Sequence, residues 1–148
     1  MEDSKQLENT GRIFATTLVH CVIRKDFPNW IPKAAIGDVD IFSEFMQTEI
    51  ENICQLNSSL FWWEFLQSFA GKEKTAVTFN KFCSCMSSII EHQEIKLEMF
   101  LKYAATLAKI STFIYEDVVE APYIAVRHIT DVLVTRYSCL LRKKPSEK

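Results

Sequence analysis

Cys83 and Cys85 stand two residues apart, and His92 follows nine residues after Cys83. Thiols and imidazole are ligand types that zinc selects. In a helix, however, Cys83 and Cys85 point about 200° apart. The cysteine–histidine spacing also completes no zinc motif, so no metal or other cofactor is expected. His20, His92 and His128 each lack a carboxylate or nucleophile at the spacing that acid–base or nucleophilic catalysis requires. Glu116 and Asp117 are adjacent, so their side chains diverge. There is no glycine-rich phosphate loop, nucleophile elbow or HExxH pair. The chain reads as a non-enzyme, and its chemistry as that of binding.

The elements around these residues are helical. The 148 residues suit one domain, 1–148, with 1–8 and 142–148 expected as flexible tails. Hydrophobic residues make up 48% of the chain, and 11 are phenylalanine, which is a globular composition. Only three glycines and four prolines are present, too few for the many turns of a sandwich or barrel. A formal charge of -2 gives no global attraction to nucleic acid, and the closing "RKKPSEK" reads as a solubilising tail. The polar start "MEDSKQLENTGR" is no signal peptide, and no run of about eighteen apolar residues marks a membrane anchor. A cytoplasmic location is therefore expected, with Cys21, Cys54, Cys83, Cys85 and Cys139 as thiols.

Apolar spacing predicts six helices. The first runs from about Asn9 to Lys25, with Phe14, Leu18, Cys21 and Val22 facing inward. Asp38 or Asp40 is expected to cap the second, whose stripe is Ile41, Phe42, Phe45, Met46, Ile50 and Ile53. The third, "LFWWEFLQSFAG", is apolar almost all round and has Gly71 to end it. Thr78 is expected to cap the fourth, "AVTFNKFCSCMSSIIEH", where Phe79, Phe82, Cys83, Met86, Ile89 and Ile90 form a stripe opposite small serines. Both faces suit burial, which makes this the expected central helix. The fifth starts near Glu94 with core positions Leu97, Phe100, Leu101, Ala104, Leu107 and Ala108, and a kink is expected at Ser111–Thr112. Pro122 suits the first turn of the sixth. The class is all-α, a globular bundle of six to eight helices around a central hydrophobic helix.

Lys81, between Phe79 and Phe82, is unusual at the head of a helix bound for a core. Aromatic residues are dense from Phe42 to Phe82, which suggests a groove that accepts an amphipathic helix. A single cation at its rim fixes the register of a visiting carboxylate.

The junction "VTFNKF" resembles the first homology motif of the B-cell-lymphoma (Bcl) family of apoptosis regulators, which reads roughly V-N-W-G-R followed by an aliphatic residue. Val77 stands at the valine, Phe79 at the tryptophan, Asn80 at the glycine, Lys81 at the arginine and Phe82 at the aliphatic position. "STFIYEDVVEAPYIAV" is similar to the second motif, W-I-x-x-N-G-G-W, with Phe113 and Ile114 at its start and Tyr123 near its end. The chain departs from the family in three ways. Asn80 replaces a glycine that allows close backbone approach. Lysine replaces the bidentate arginine fork. Both glycines of the second motif are missing. Short members without an anchor are typically viral.

The resemblance implies a Bcl-like fold and an anti-apoptotic regulator, of viral type, that sequesters the amphipathic helices of pro-apoptotic proteins. Its groove would be lined by Phe42, Phe45, Met46, Phe65, Phe69, Phe79, Asn80, Lys81 and Phe82, with Lys81 pairing a ligand aspartate. Nucleic acid is not an expected partner, and the location would be the host cytoplasm. Two alternatives share the fold class. One is an inhibitor of innate immune signalling whose groove is filled. The other is a self-associating module, such as a homodimer through the third helix.

Overall fold

The computed structural model describes residues 2–33 and 42–141. Six α-helices follow in order: α1 (Glu2–Ile23), α2 (Glu44–Leu56), α3 (Ser58–Ser68), α4 (Ala76–Glu91), α5 (Leu97–Ile114) and α6 (Ala121–Arg136). A short 3-10 turn, Ser138–Leu141, closes the described chain. No strand occurs among the described residues.

The central helix is α5, not α4. It packs against α1, α2, α3, α4 and α6, and buries Phe100, Leu101, Leu107, Ile110 and Ile114 together with Ala104, Ala105 and Ala108. The alanines let neighbours approach from several sides, and each large apolar side chain so buried contributes about 1.5–3 kcal/mol. By contrast α4 buries only Phe79, Cys83 and Ile90, while Ser84, Cys85, Ser88 and Ile89 are exposed. Small serines were compatible with either environment, and solvent took them. Helix α5 runs without a break through Ser111–Thr112, where a kink was expected. Both hydroxyls donate back to the Ala108 carbonyl and the helix continues to Ile114.

Helix α1 begins at Glu2 rather than Asn9, so the expected tail 1–8 is helical from residue 2. Gly11 lies against the far end of the chain. A Cβ there would meet Leu141 and Val134 side-chain carbons at 3.3 Å, which is what allows α1 to lie close along α6. Pro122 sits in the first turn of α6 as its missing N–H allows.

The caps differ from expectation by a few residues. Asp38 and Asp40 lie outside the described residues, as does Ile41. Ser43 caps α2, its hydroxyl accepting from the Met46 amide at 3.2 Å. Thr75 rather than Thr78 caps α4, accepting from the Thr78 amide at 3.2 Å. Thr75 closes the polar turn directly before Ala76, so its hydroxyl is the one placed to meet the first free amides of α4. Gly71 takes the left-handed conformation, φ 71°, just beyond α3. Helix α5 starts at Leu97, three residues later than Glu94.

Candidate ligand-helix cleft

Helix α3 sits on α5 through Phe61 and Phe65, and the chain then turns through Gly71 and enters α4. This crossing brings a continuous run of rings together. Phe113 of α5 lies 5.5 Å from Phe65, Phe65 lies 5.1 Å from Phe69, and Phe69 lies 5.7 Å from Phe82. Phe82 in turn stacks on Phe79 at 6.2 Å. Offset rings at these spacings attract beyond their burial alone. Phe65, Phe69 and Phe79 are buried in this run, and Phe82 is half-buried. The Lys74 ammonium lies 5.7 Å from the centre of the Phe65 ring.

Where the run of rings reaches the surface a cleft of about 560 Å³ opens. Ser68, Phe69, Lys72, Glu73, Thr78, Lys81, Phe82 and Cys85 line it. Thr78, Lys81 and Cys85 share one face of α4 at i, i+3 and i+7, and the turn after α3 brings Lys72 and Glu73 opposite. Lys81 is exposed and forms no salt bridge among the described residues. The site is thus an apolar floor with two ammonium groups and one carboxylate at its rim. It can accept the apolar side of a peptide and pair with one acidic side chain.

The nine residues expected to line a groove separate into groups. Phe69, Lys81 and Phe82 come together at the cleft. Phe65 and Phe79 lie beneath it, in the ring run. Asn80 turns to the other side of α4. Its Oδ1 accepts from Arg127 Nη2 at 2.8 Å and lies 2.8 Å from His128 Nε2, so it ties α4 to α6. Phe42, Phe45 and Met46 belong to the region of α2 and are not among the residues lining the cleft. Phe42 packs edge-on against Phe14 at 5.3 Å, and Met46 joins the same core. Phe45 is 61% exposed because it falls off the Met46–Ile50–Ile53 stripe of α2.

Ser68, Lys72, Glu73, Thr78 and Cys85 were not foreseen as lining residues. Thr78 and Cys85 were readable from their helical spacing to Lys81. Lys72 and Glu73 depend on how α3 and α4 cross, which no local pattern states.

A second cleft of about 430 Å³ opens between α1 and α2, lined by Cys21, Glu51, Cys54 and Lys109 among others. Of its three charged side chains, Glu51 and Lys109 already have partners, and Lys25 forms no salt bridge among the described residues. Glu51 Oε2 accepts from Gln47 at 3.3 Å, and Lys109 pairs with Asp26 at 3.2 Å. Burial pushes the Cys54 thiol up to about 11 and also raises Cys21 and Cys83, which leaves little thiolate at neutral pH. Among the described residues no three histidine, cysteine or acidic side chains gather to hold a metal ion. No described helix is long and apolar enough to cross a membrane.

Compared with family models, curated proteins and solved structures, the chain matches none.

Proposed function

We propose that this chain is an anti-apoptotic regulator of Bcl-like type that sequesters amphipathic ligand helices through the cleft at Lys81. The observation that carries the reading is one juxtaposition. The exposed ammonium of Lys81 stands beside the Phe69 and Phe82 rings, in a cleft of about 560 Å³, without an acidic partner of its own among the described residues. A visiting helix would lay apolar side chains on those rings and present one carboxylate to Lys81. Each well-buried large side chain would contribute roughly 1.5–3 kcal/mol, and the charge-assisted bond would set register. The mechanism is sequestration, so affinity rather than turnover is the activity.

The test is charge reversal at the rim. Lys81→Glu weakens binding of a death-promoting ligand helix by about 1.5–3 kcal/mol, the scale of a charge-assisted hydrogen bond. Phe45→Glu, away from the cleft lining, leaves it intact. Equal loss in both variants would contradict the assignment of the cleft.

A second reading, inhibition of innate signalling through an outer face, draws on a different observation. Phe65 and Phe79 are buried, and Asn80 is engaged by α6, which shortens the groove open to a ligand helix. Recovery of signalling adaptors, with no apoptosis regulators, in a pull-down would favour that reading.

A further inference from the structure

Two lysines line the cleft, and the backbone ties each of them to a ring of its floor. Lys81 directly precedes Phe82 in α4. Lys72 follows the left-handed Gly71, and its amide donates to the Phe69 carbonyl at 3.1 Å. The Phe69 and Phe82 rings lie 5.7 Å apart. One ammonium thus belongs to the α4 wall and the other to the wall formed by the turn after α3, with the paired rings as the floor.

Both lysines are exposed, and neither forms a salt bridge among the described residues. Lys74, the other lysine of the turn, is not among the lining residues, and its ammonium lies 5.7 Å from the centre of the buried Phe65 ring. Glu73, beside Lys72, is the one carboxylate of the lining. A helix with a single acidic side chain would pair Lys81 and cover Lys72 with a neutral flank. An ammonium that loses water without gaining a partner is costly.

On the reading that this cleft receives a ligand helix, we propose that the helix carries an acid–apolar–acid triplet, with one acid for Lys81 and one for Lys72. Successive residues of an α-helix point about 100° apart. With the apolar residue seated on Phe69 and Phe82, the residues before and after it therefore face opposite walls. Glu73 repels further acids on the Lys72 wall, so that wall selects one acid rather than an acidic run. The partner is an amphipathic helix with a carboxylate on each flank of one apolar anchor. Which acid meets which lysine reports the direction in which the helix lies.

The test uses four versions of the tightest-binding death-promoting helix, which differ only at the two residues flanking its central apolar anchor. Both are glutamate, the first alone is glutamine, the second alone is glutamine, or both are glutamine. Affinities are read by calorimetry for the parent chain, Lys72→Gln and Lys81→Gln. The two-glutamate helix is expected to bind the parent chain best, and each glutamine to weaken binding about tenfold. Each lysine variant loses about tenfold against the two-glutamate helix, and nothing against the single-glutamine helix that lacks its acid. The two variants are therefore silent on different helices. If Lys72→Gln leaves the two-glutamate helix unaffected while Lys81→Gln still weakens it, the proposal is overturned and the single-acid cleft stands. Equal loss by a variant against all four helices also overturns it, because a charge pair would be lost only where its acid is present. If Lys81→Gln has no effect, or no helix binds, the cleft reading falls and the triplet falls with it.

Discussion

The Asn80 side-chain oxygen lies 2.8 Å from His128 Nε2, across the boundary between α4 and α6. An amide oxygen only accepts, so His128 carries its proton on Nε2. The His128 carbonyl also accepts from the Tyr103 hydroxyl at 3.3 Å, and Ser87 lies 2.7 Å from that hydroxyl. One small polar network therefore joins α4, α5 and α6 directly behind the cleft helix.

This network makes stability depend on pH. Burial first, and then the Arg127 charge, hold His128 below its ordinary value of 6.5, while Asp131 opposes them. Burial and Arg24 lower His20 in the same direction. The unfolded chain therefore binds more protons than the folded one as pH falls through 6.5 toward the lowered values. Stability is expected to be fully present above the ordinary histidine value and to decline in that window. Urea midpoints across the range check it. His128→Gln is expected to flatten part of the decline, and a midpoint that rises on acidification would contradict it.

Tyr137 is 1% exposed, its ring lies 5.1 Å from Phe100, and its hydroxyl has no hydrogen-bond partner among the described residues. An unsatisfied buried hydroxyl costs about 1–3 kcal/mol, whereas the ring packs equally well without it. Tyr137→Phe is expected to stabilise the fold by about 1 kcal/mol, read as a higher urea midpoint with an unchanged slope. A loss of stability would mean that the hydroxyl has a partner after all.

The capping assignment is open to the same measurement. Thr75→Ala is expected to cost about 1 kcal/mol, because it leaves the Thr78 amide at the start of α4 without its acceptor. Thr78→Ala, which removes only a hydroxyl contact to Thr75 at 3.0 Å, is expected to cost less. The reverse order would restore Thr78 as the cap.

All five cysteines are free, and Cys85 and Cys139 are the exposed ones. A disulfide reagent at neutral pH is expected to label these two quickly and Cys21, Cys54 and Cys83 slowly. Cys85 also lines the cleft with Lys81. A bound ligand helix should therefore slow labelling of Cys85 and leave Cys139 unchanged. Peptide mass analysis of the labelled chain distinguishes the two.

Much of the fold was legible because helical spacing reports burial directly. The inward stripe of α1, the apolar seat of α3 and the core face of α6 all follow from it. The centre of the bundle was misread, because serine and alanine are both small enough for a helix contact. Spacing alone does not say that Ser84 and Ser88 meet water while Ala104 and Ala108 meet neighbours. The candidate site was legible only as far as one helix reaches. Lys81 and Phe82 announce themselves beside Phe79. That Phe69 joins them, that Asn80 turns to α6 and that α2 contributes nothing to the cleft lining are consequences of helix crossings. Those crossings are fixed by long-range packing.

Calorimetric titration of the chain with a panel of amphipathic death-promoting helices is the most direct measurement. The account predicts submicromolar affinity for at least one member, at about one helix per chain, with a dissociation constant equivalent to more than about 8 kcal/mol. A full panel without detectable binding would contradict it, and the cleft beside Lys81 would then be a surface feature of an all-helical bundle with some other task.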